Sequence, residues 1–273
     1  MPDEPFAFGK NWRDFVEKYL NAERVGEAKQ SLLKFSKGYN FAGKTFLDIG
    51  CGSGLFSLCA HRLGAHVTSF DVDKDSVACC EYLHQLEDKP ETWKIAHGSV
   101  LDAAFLASLG QFDFVYSWGV LHHTGDMWRA IENAAGRVKD GGALYIAIYN
   151  KADGFAFYDD GRFGPSSLWL LEKKFYATLP SLCQRAFDGG VMTAMSMLYC
   201  LTLQNPVKKI QSHKALRGMS WAIDIKDWLG GYPYEFASVA EIFNFLEPRG
   251  FELKNLISTN GLRNNEFLFV KSR

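Results

Sequence analysis

Three glycines at alternate positions, in Leu47-Asp48-Ile49-Gly50-Cys51-Gly52-Ser53-Gly54, are the residues with the clearest chemical purpose in this chain. Glycine lets a backbone turn sharply and approach a ligand closely, and a helix opening behind such a loop offers unpaired N–H donors. The spacing is G-x-G-x-G, and Leu55 stands where the third glycine of a dinucleotide-binding loop would fall. Asp48, just ahead of the loop, would repel a pyrophosphate and attract an ammonium group. Both features argue against a dinucleotide. Further on, Phe70-Asp71-Val72-Asp73 carries an acid at about the distance where Rossmann-type folds place one for ribose hydroxyls. A carboxylate accepts two such hydrogen bonds at once, and Asp71 fits the position best. Asp73 is the fallback and suits a helix cap better, as does Asp102.

His122 and His123 follow the run Tyr116-Ser117-Trp118-Gly119-Val120-Leu121. An imidazole can take the proton of a hydroxyl nucleophile near neutral pH, and either histidine could serve as such a base. An unperturbed ring would lose that capacity below about pH 6.5. The plainer alternative for each is a core or turn-fixing histidine. A metal would need more ligands than the one nearby acid, Asp126, so no metal is expected. Cys51, Cys59, Cys79, Cys80, Cys183 and Cys200 form no CxxC pair and no zinc spacing, which reads as reduced thiols in a cytoplasmic protein.

The elements that must position these residues alternate. Thr45–Ile49, His66–Asp71, Trp93–Ser99, Phe112–Trp118 and Ala143–Tyr149 are short, nearly continuous apolar runs, the pattern of strands buried on both faces. Helical segments lie between them at about Leu55–Leu63, Lys74–Leu86, Ala103–Leu109 and Met127–Val138, and Asp140-Gly141-Gly142 reads as the turn into the fifth strand. This predicts an α/β fold: a doubly wound, mostly parallel sheet of seven strands with helices on both faces. Ser238–Leu246 reads as a helix, and Phe251–Ile257 with Glu266–Val270 as a C-terminal antiparallel hairpin completing the sheet. Two helices are expected before the first strand, one capped by Asn11 and one over about Glu23–Lys37. Residues 151–235 break the alternation and are rich in aromatics. The expected organisation is an N-terminal helical cap (1–40), a cofactor-binding core (41–150), a helical cap insertion (151–235), and a final helix and strands (236–273).

The glycine segment resembles motif I of class I S-adenosylmethionine-dependent methyltransferases, and the resemblance extends over about residues 41–150. It implies that Gly50, Gly52 and Gly54 pass beneath the methionyl part of S-adenosylmethionine, with Asp48 nearby and Asp71 on the ribose. In similar enzymes the turn His97-Gly98-Ser99-Val100 borders the adenine, which assigns Ser99 and Val100, while Ser117 and Trp118 fall at the methionine-binding strand end. The Asn/Asp-Pro-Pro-Tyr/Phe motif of amide and amine methyltransferases is absent, as is a Pro-Cys nucleophile. Leu121-His122-His123-Thr124 resembles the sugar and quinol O-methyltransferases. The first histidine matches the base proposed for the sugar enzymes, the second the histidine of the quinol enzymes, and the first is slightly favoured. Such enzymes set the acceptor beneath an N-terminal helix and an insertion after the fifth strand. This implies acceptor contacts from Trp12, Tyr149, Asn150, Trp228 and Tyr232.

A formal net charge of -1 argues against a nucleic-acid partner; the alternative readings are an RNA or protein methyltransferase of the same fold, or a non-catalytic cofactor-binding module. Aromatics at 15% suit an apolar or planar small-molecule acceptor such as a polyketide, a quinol or a saccharide. The N-terminus lacks the apolar core of a signal peptide. The longest apolar run, Val191–Leu203, is too short to span a bilayer, and leaves a buried helix, a membrane contact or a homodimer contact open.

Overall fold

The five apolar runs between Thr45 and Tyr149 form the parallel part of one sheet in the computed structural model. It describes residues 20–152, 164–210 and 229–273, together with Trp12, Val16 and Ile225. Strands β1 (Thr45–Ile49), β2 (His66–Asp71), β3 (Trp93–His97), β4 (Phe112–Trp118) and β5 (Val138–Tyr149) run parallel to one another. Strands β6 (Phe251–Ile257) and β7 (Asn264–Lys271) pair antiparallel, and β7 closes against β5. The strand order is β3-β2-β1-β4-β5-β7-β6, as expected of a doubly wound sheet with a terminal hairpin. Chain direction through the sheet reverses between β1 and β4, and a crevice opens at the carboxyl ends of strands at such a point. The glycine loop follows β1 and the histidine pair follows β4, so topology alone makes these two segments neighbours.

Alternation along each strand sends side chains into two cores. Phe46, Phe114, Tyr116 and Tyr145 pack with α1 (Ala22–Phe35), α2 (Leu55–Arg62) and α3 (Lys74–Leu86) through Leu32, Leu58 and Leu83. Leu47, Val115, Ile146 and Ile148 face α4 (Ala103–Leu109) and α5 (Met127–Ala135), and α8 (Val239–Leu246) completes this same side of the sheet. Between β5 and α8 the insertion supplies α6 (Pro165–Thr178) and α7 (Ser181–Leu201), joined through Leu179-Pro180. They form a third cluster of Tyr176, Ile225 and Leu229 with Trp169, Phe187, Val191, Met192, Met195 and Tyr199.

The strand boundaries differ from expectation at one instructive place. Asp140-Gly141-Gly142 is no turn but the irregular part of β5, where pairing with β4 slips between Phe112 and Phe114. Gly141 has φ +77, and a Cβ on Gly142 would lie 2.9 Å from the Lys139 carbonyl and 3.0 Å from that of Asp113. The glycines are there for a bulge squeezed against β4, and a glycine pair reads alike for bulge and turn. The cap at Asn11 and the apolar positions Phe15 and Tyr19 lie outside the described residues; Trp12 and Val16 are helical.

Candidate active site

The glycine loop is held open by backbone geometry that only glycine adopts easily. Gly50, Gly52 and Gly54 all have positive φ, at +72, +52 and +76. A Cβ on Gly50 would sit 2.4 Å from the Val120 side chain, and one on Gly52 would sit 3.1 Å from the indole nitrogen of Trp12. The loop is therefore pressed between the segment after β4 and the N-terminal helix. Asp71 closes it: the Gly52 N–H donates to Oδ2 at 3.0 Å and the Asp73 N–H to Oδ1 at 2.9 Å. Burial raises the Asp71 pKa, and these backbone donors counter part of the effect. Asp73 and Asp102 are N-caps of α3 and α4, accepting from the Asp75 and Phe105 N–H groups.

Asp48, at the end of β1, is buried. It is 2% accessible, and the Ser57 hydroxyl donates to its Oδ2. Ser57 in turn meets the Ser69 hydroxyl at 2.6 Å, to which the Trp93 indole N–H donates at 2.9 Å. This buried chain runs from β3 through β2 and α2 to β1, directly under the glycine loop. Burial raises the Asp48 pKa to about 7 despite the Ser57 donor. None of Ser57, Ser69 and Trp93 stood out in the sequence, because isolated serines in a helix and a strand carry no motif.

On the far side of the crevice, the carbonyl of Val100 accepts from the Asn133 side chain at 2.8 Å, and the Ser99 hydroxyl accepts from the Leu101 N–H at 3.2 Å. Their turn is thereby fixed. Ser117 is fully buried, and its hydroxyl donates to the Ile49 carbonyl at 3.0 Å. That bond ties β4 to the end of β1, while half-buried Trp118 packs on the core beneath the N-terminal helices.

The histidines lie in a single 3-10 turn, Leu121–His123, yet their hydrogen bonds set opposite tautomers. The Tyr149 backbone N–H points at His122 Nδ1 at 3.2 Å, so this nitrogen must be the acceptor and Nε2 carries the proton. His122 Nε2 is buried and meets no partner among the described residues. His123 Nδ1 lies 2.6 Å from the Pro233 carbonyl, which can only accept, so Nδ1 carries the proton and the lone pair is on Nε2. Tyr149 lies against both rings, tilted at 4.0 Å from His122 and edge-on at 5.4 Å from His123, and makes a tilted contact with Tyr234 at 4.9 Å.

Both rings are kept neutral. Burial lowers the His122 pKa well below its usual value, with His123 and Lys173 contributing. Burial also brings His123 down to about 4, Lys173 adding to the effect and the carbonyls of Pro233 and Gly231 opposing it. Lys173, on α6, is itself 1% exposed, with its ammonium 5.2 Å from the Tyr234 ring. The expectation of an unperturbed imidazole is corrected accordingly. The unfolded chain takes up protons at these rings below about pH 6.5, while the folded chain resists protonation at both, at His123 until about pH 4, so the stability they contribute is complete above pH 6.5 and falls as pH drops below it. For His123 alone the loss is about 3 kcal/mol. Urea unfolding at pH 7 and pH 4.5 should show it, and the difference should shrink in His123→Gln.

The segment after the insertion delivers Pro233 to this place. Backbone bonds from Glu235 N–H to the His122 carbonyl and from Ala237 N–H to that of Tyr149 lay it along the end of β5. The Glu235 carboxylate accepts from the Met127 N–H and caps α5. Tyr232, half-buried, precedes Pro233 in this loop, and Trp228 lies outside the described residues. Asn150 is turned into the structure: its amide donates to the Gly261 carbonyl and accepts from Asn265, both at 2.9 Å. Its side chain clips β5 to the hairpin and does not face the crevice, a correction to its expected acceptor contact.

A loop that admits no Cβ, an acid at its mouth and a fixed turn beyond fit a nucleoside bearing an amino-acid tail. Fold and site together define a class I, Rossmann-like methyltransferase. The sequence matches the family described as methyltransferase domain over residues 20–264, and the chain belongs to that family. Its cofactor is S-adenosylmethionine. Among curated proteins it is 28% identical over 145 residues to a ubiquinone biosynthesis O-methyltransferase of Aeromonas salmonicida, covering 53% of this chain and 59% of the relative. It is 36% identical over 111 residues to the protein of the same description from Xanthomonas axonopodis, covering 40% and 45%. The match thus spans about half the length of these relatives. Among solved structures, magnesium protoporphyrin IX methyltransferase from Synechocystis aligns with a TM-score of 0.55 at 15% identity, over 96% of this chain and 94% of that one. An O-methyltransferase family protein from Burkholderia thailandensis gives the same score at 16% identity, over 98% and 64%. At such identities these two speak for the fold.

Proposed function

We propose that the protein moves the methyl group of S-adenosylmethionine to a hydroxyl of a small-molecule acceptor, with His123 Nε2 taking the hydroxyl proton. The observation that carries this reading is the short contact between His123 Nδ1 and the Pro233 carbonyl. A base needs its lone pair presented and its ring held, and one backbone carbonyl does both. His122 makes the opposite use of its ring and acts as a positioning residue, keeping Tyr149 and the turn in place. This reverses the slight preference for His122 drawn from the sequence.

When bound, the cofactor supplies a methyl group on a positively charged sulfur, which a nucleophile displaces in line. The chain's part is to bind, align and deprotonate. Gly50, Gly52 and Gly54 give the tail a close backbone surface. Asp71 accepts from ribose hydroxyls with lone pairs remaining beside its two backbone bonds, and Ser99 and Val100 border the base. Asp48 and Ser117 act from beneath, one through Ser57 and the other through the end of β1. Tyr149 and Tyr232 line the acceptor side together with Trp12, and α6 with the loop through Pro233 forms a cap that keeps the histidines dry. The relatives named as O-methyltransferases support a hydroxyl acceptor.

The test is transfer from isotopically labelled S-adenosylmethionine to paired acceptors of one skeleton, bearing a free phenol, an aliphatic hydroxyl or an amine. An O-methyl ether is the expected product. Methylation of the amine alone would overturn the hydroxyl reading, and labelling of RNA or protein in preference to every small acceptor would overturn the small-molecule one.

A further inference from the structure

The helical hairpin α6–α7 carries an outer face that the proposed reaction does not use. On α7 the inner positions Phe187, Val191, Met195 and Tyr199 pack into the cap core, while Leu182, Met197, Leu198 and Leu201 on the outer side stay exposed. Leu201 is 80% and Leu203 97% accessible. On α6, Leu168, Leu171 and Phe175, spaced three and four apart, are exposed as well. Single exposed leucines are ordinary, but a run of them across two joined helices is not.

The charge on this hairpin is equally one-sided. Between residues 164 and 210 the exposed charged groups are Lys174, Arg185, Lys208 and Lys209, all cations, in a chain of net charge -1. The two acids of the stretch point inward: Asp188 accepts from the Tyr176 hydroxyl, and both oxygens of Glu172 are buried. From Gly189 to Leu203 there is no charged residue at all. No helix among the described residues is long and apolar enough to cross a membrane. An apolar face whose exposed charged neighbours on the hairpin are, among the described residues, all cations matches a surface with an anionic rim and an apolar interior. It fits a second copy of itself poorly, since the cations would face each other across a symmetric contact.

We propose that the outer face of α6–α7 docks on the surface of an anionic lipid bilayer, with Leu198, Leu201 and Leu203 entering the acyl boundary and Lys174, Arg185, Lys208 and Lys209 meeting lipid phosphates. The docking is peripheral and reversible. It brings the cap, and with it the crevice, to the place where an amphiphilic acceptor would be held.

Sedimentation of the full chain with vesicles tests this directly. Vesicles of phosphatidylcholine with 40% phosphatidylglycerol should carry the protein down at 0.1 M salt, and pure phosphatidylcholine should retain far less. Replacing both Leu198→Glu and Leu201→Glu should release it at least tenfold, with its circular dichroism unchanged because both side chains are exposed. Lys208→Glu with Lys209→Glu should weaken binding by roughly fivefold per cation, and 0.5 M salt should act the same way. Absence of pelleting with anionic vesicles overturns the proposal, as does pelleting that both double variants leave unaltered. Analytical ultracentrifugation without lipid completes the test. A dimer that the leucine substitutions dissolve would assign the face to a second copy instead.

Discussion

Replacing His123 with alanine is expected to lower kcat by roughly 10²–10⁴, the usual contribution of a positioned general base, while affinity for S-adenosylhomocysteine stays near that of the parent chain. The reason is the ring's fixed orientation: Nδ1–H is committed to the Pro233 carbonyl, so the lone pair that can accept a proton is lost with the side chain. The sign of the pH dependence separates this from a merely structural role. A base whose pKa is brought down to about 4 stays unprotonated from pH 8 to pH 5, so the rate should be level there and fall only as pH approaches 4. A profile that bends at the unperturbed imidazole value would mean that the ring is not buried as described. His122→Ala should behave differently. It strands the Tyr149 N–H and should cost roughly 1–3 kcal/mol of stability, with a smaller fall in kcat at temperatures where the variant is folded. Equal activity of the His123 variant and the parent chain would falsify the assignment.

Gly52→Val is expected to abolish detectable binding of S-adenosylhomocysteine. Gly52 has φ +52, where a β-branched residue is strained, and its Cβ would enter the space below the Trp12 indole, 3.1 Å from the ring nitrogen. The same change disturbs the N–H that holds Asp71. Asp71→Ala should be milder, weakening the ligand by about 1–3 kcal/mol as a charge-assisted hydrogen bond is removed. Isothermal titration of both variants, beside thermal melts showing that each is folded, gives the comparison. Retained affinity in the valine variant would place the cofactor elsewhere.

Sequence reasoning reached furthest where local chemistry and topology agree. The continuous apolar runs of β1, β2 and β4 could only be strands covered on both faces, and helices α3 and α4 begin and end where their capping acids and apolar spacing put them. The glycine spacing argued against a dinucleotide, and the resemblance of the same segment to motif I implied the cofactor class. The bulge at Gly141-Gly142 shows the opposite case, since φ and crowding there depend on a strand partner that no local window contains.

What the sequence determined, then, is the sheet, the glycine loop with Asp71, and the presence of two histidines beside the crevice. Their opposite tautomers were not legible in it. His122 and His123 are adjacent and chemically identical; the Tyr149 N–H makes Nδ1 of the first an acceptor, the Pro233 carbonyl makes Nδ1 of the second a donor, and Pro233 lies 110 residues away along the chain. Asp48 read as a cofactor neighbour because a carboxylate before a glycine loop attracts an ammonium group, and only packing revealed Ser57, Ser69 and Trp93 beneath it. Residue types and spacing dictate which chemistry a chain can attempt. Tautomer, burial and pKa belong to the contacts of each group, and those form only when distant segments meet.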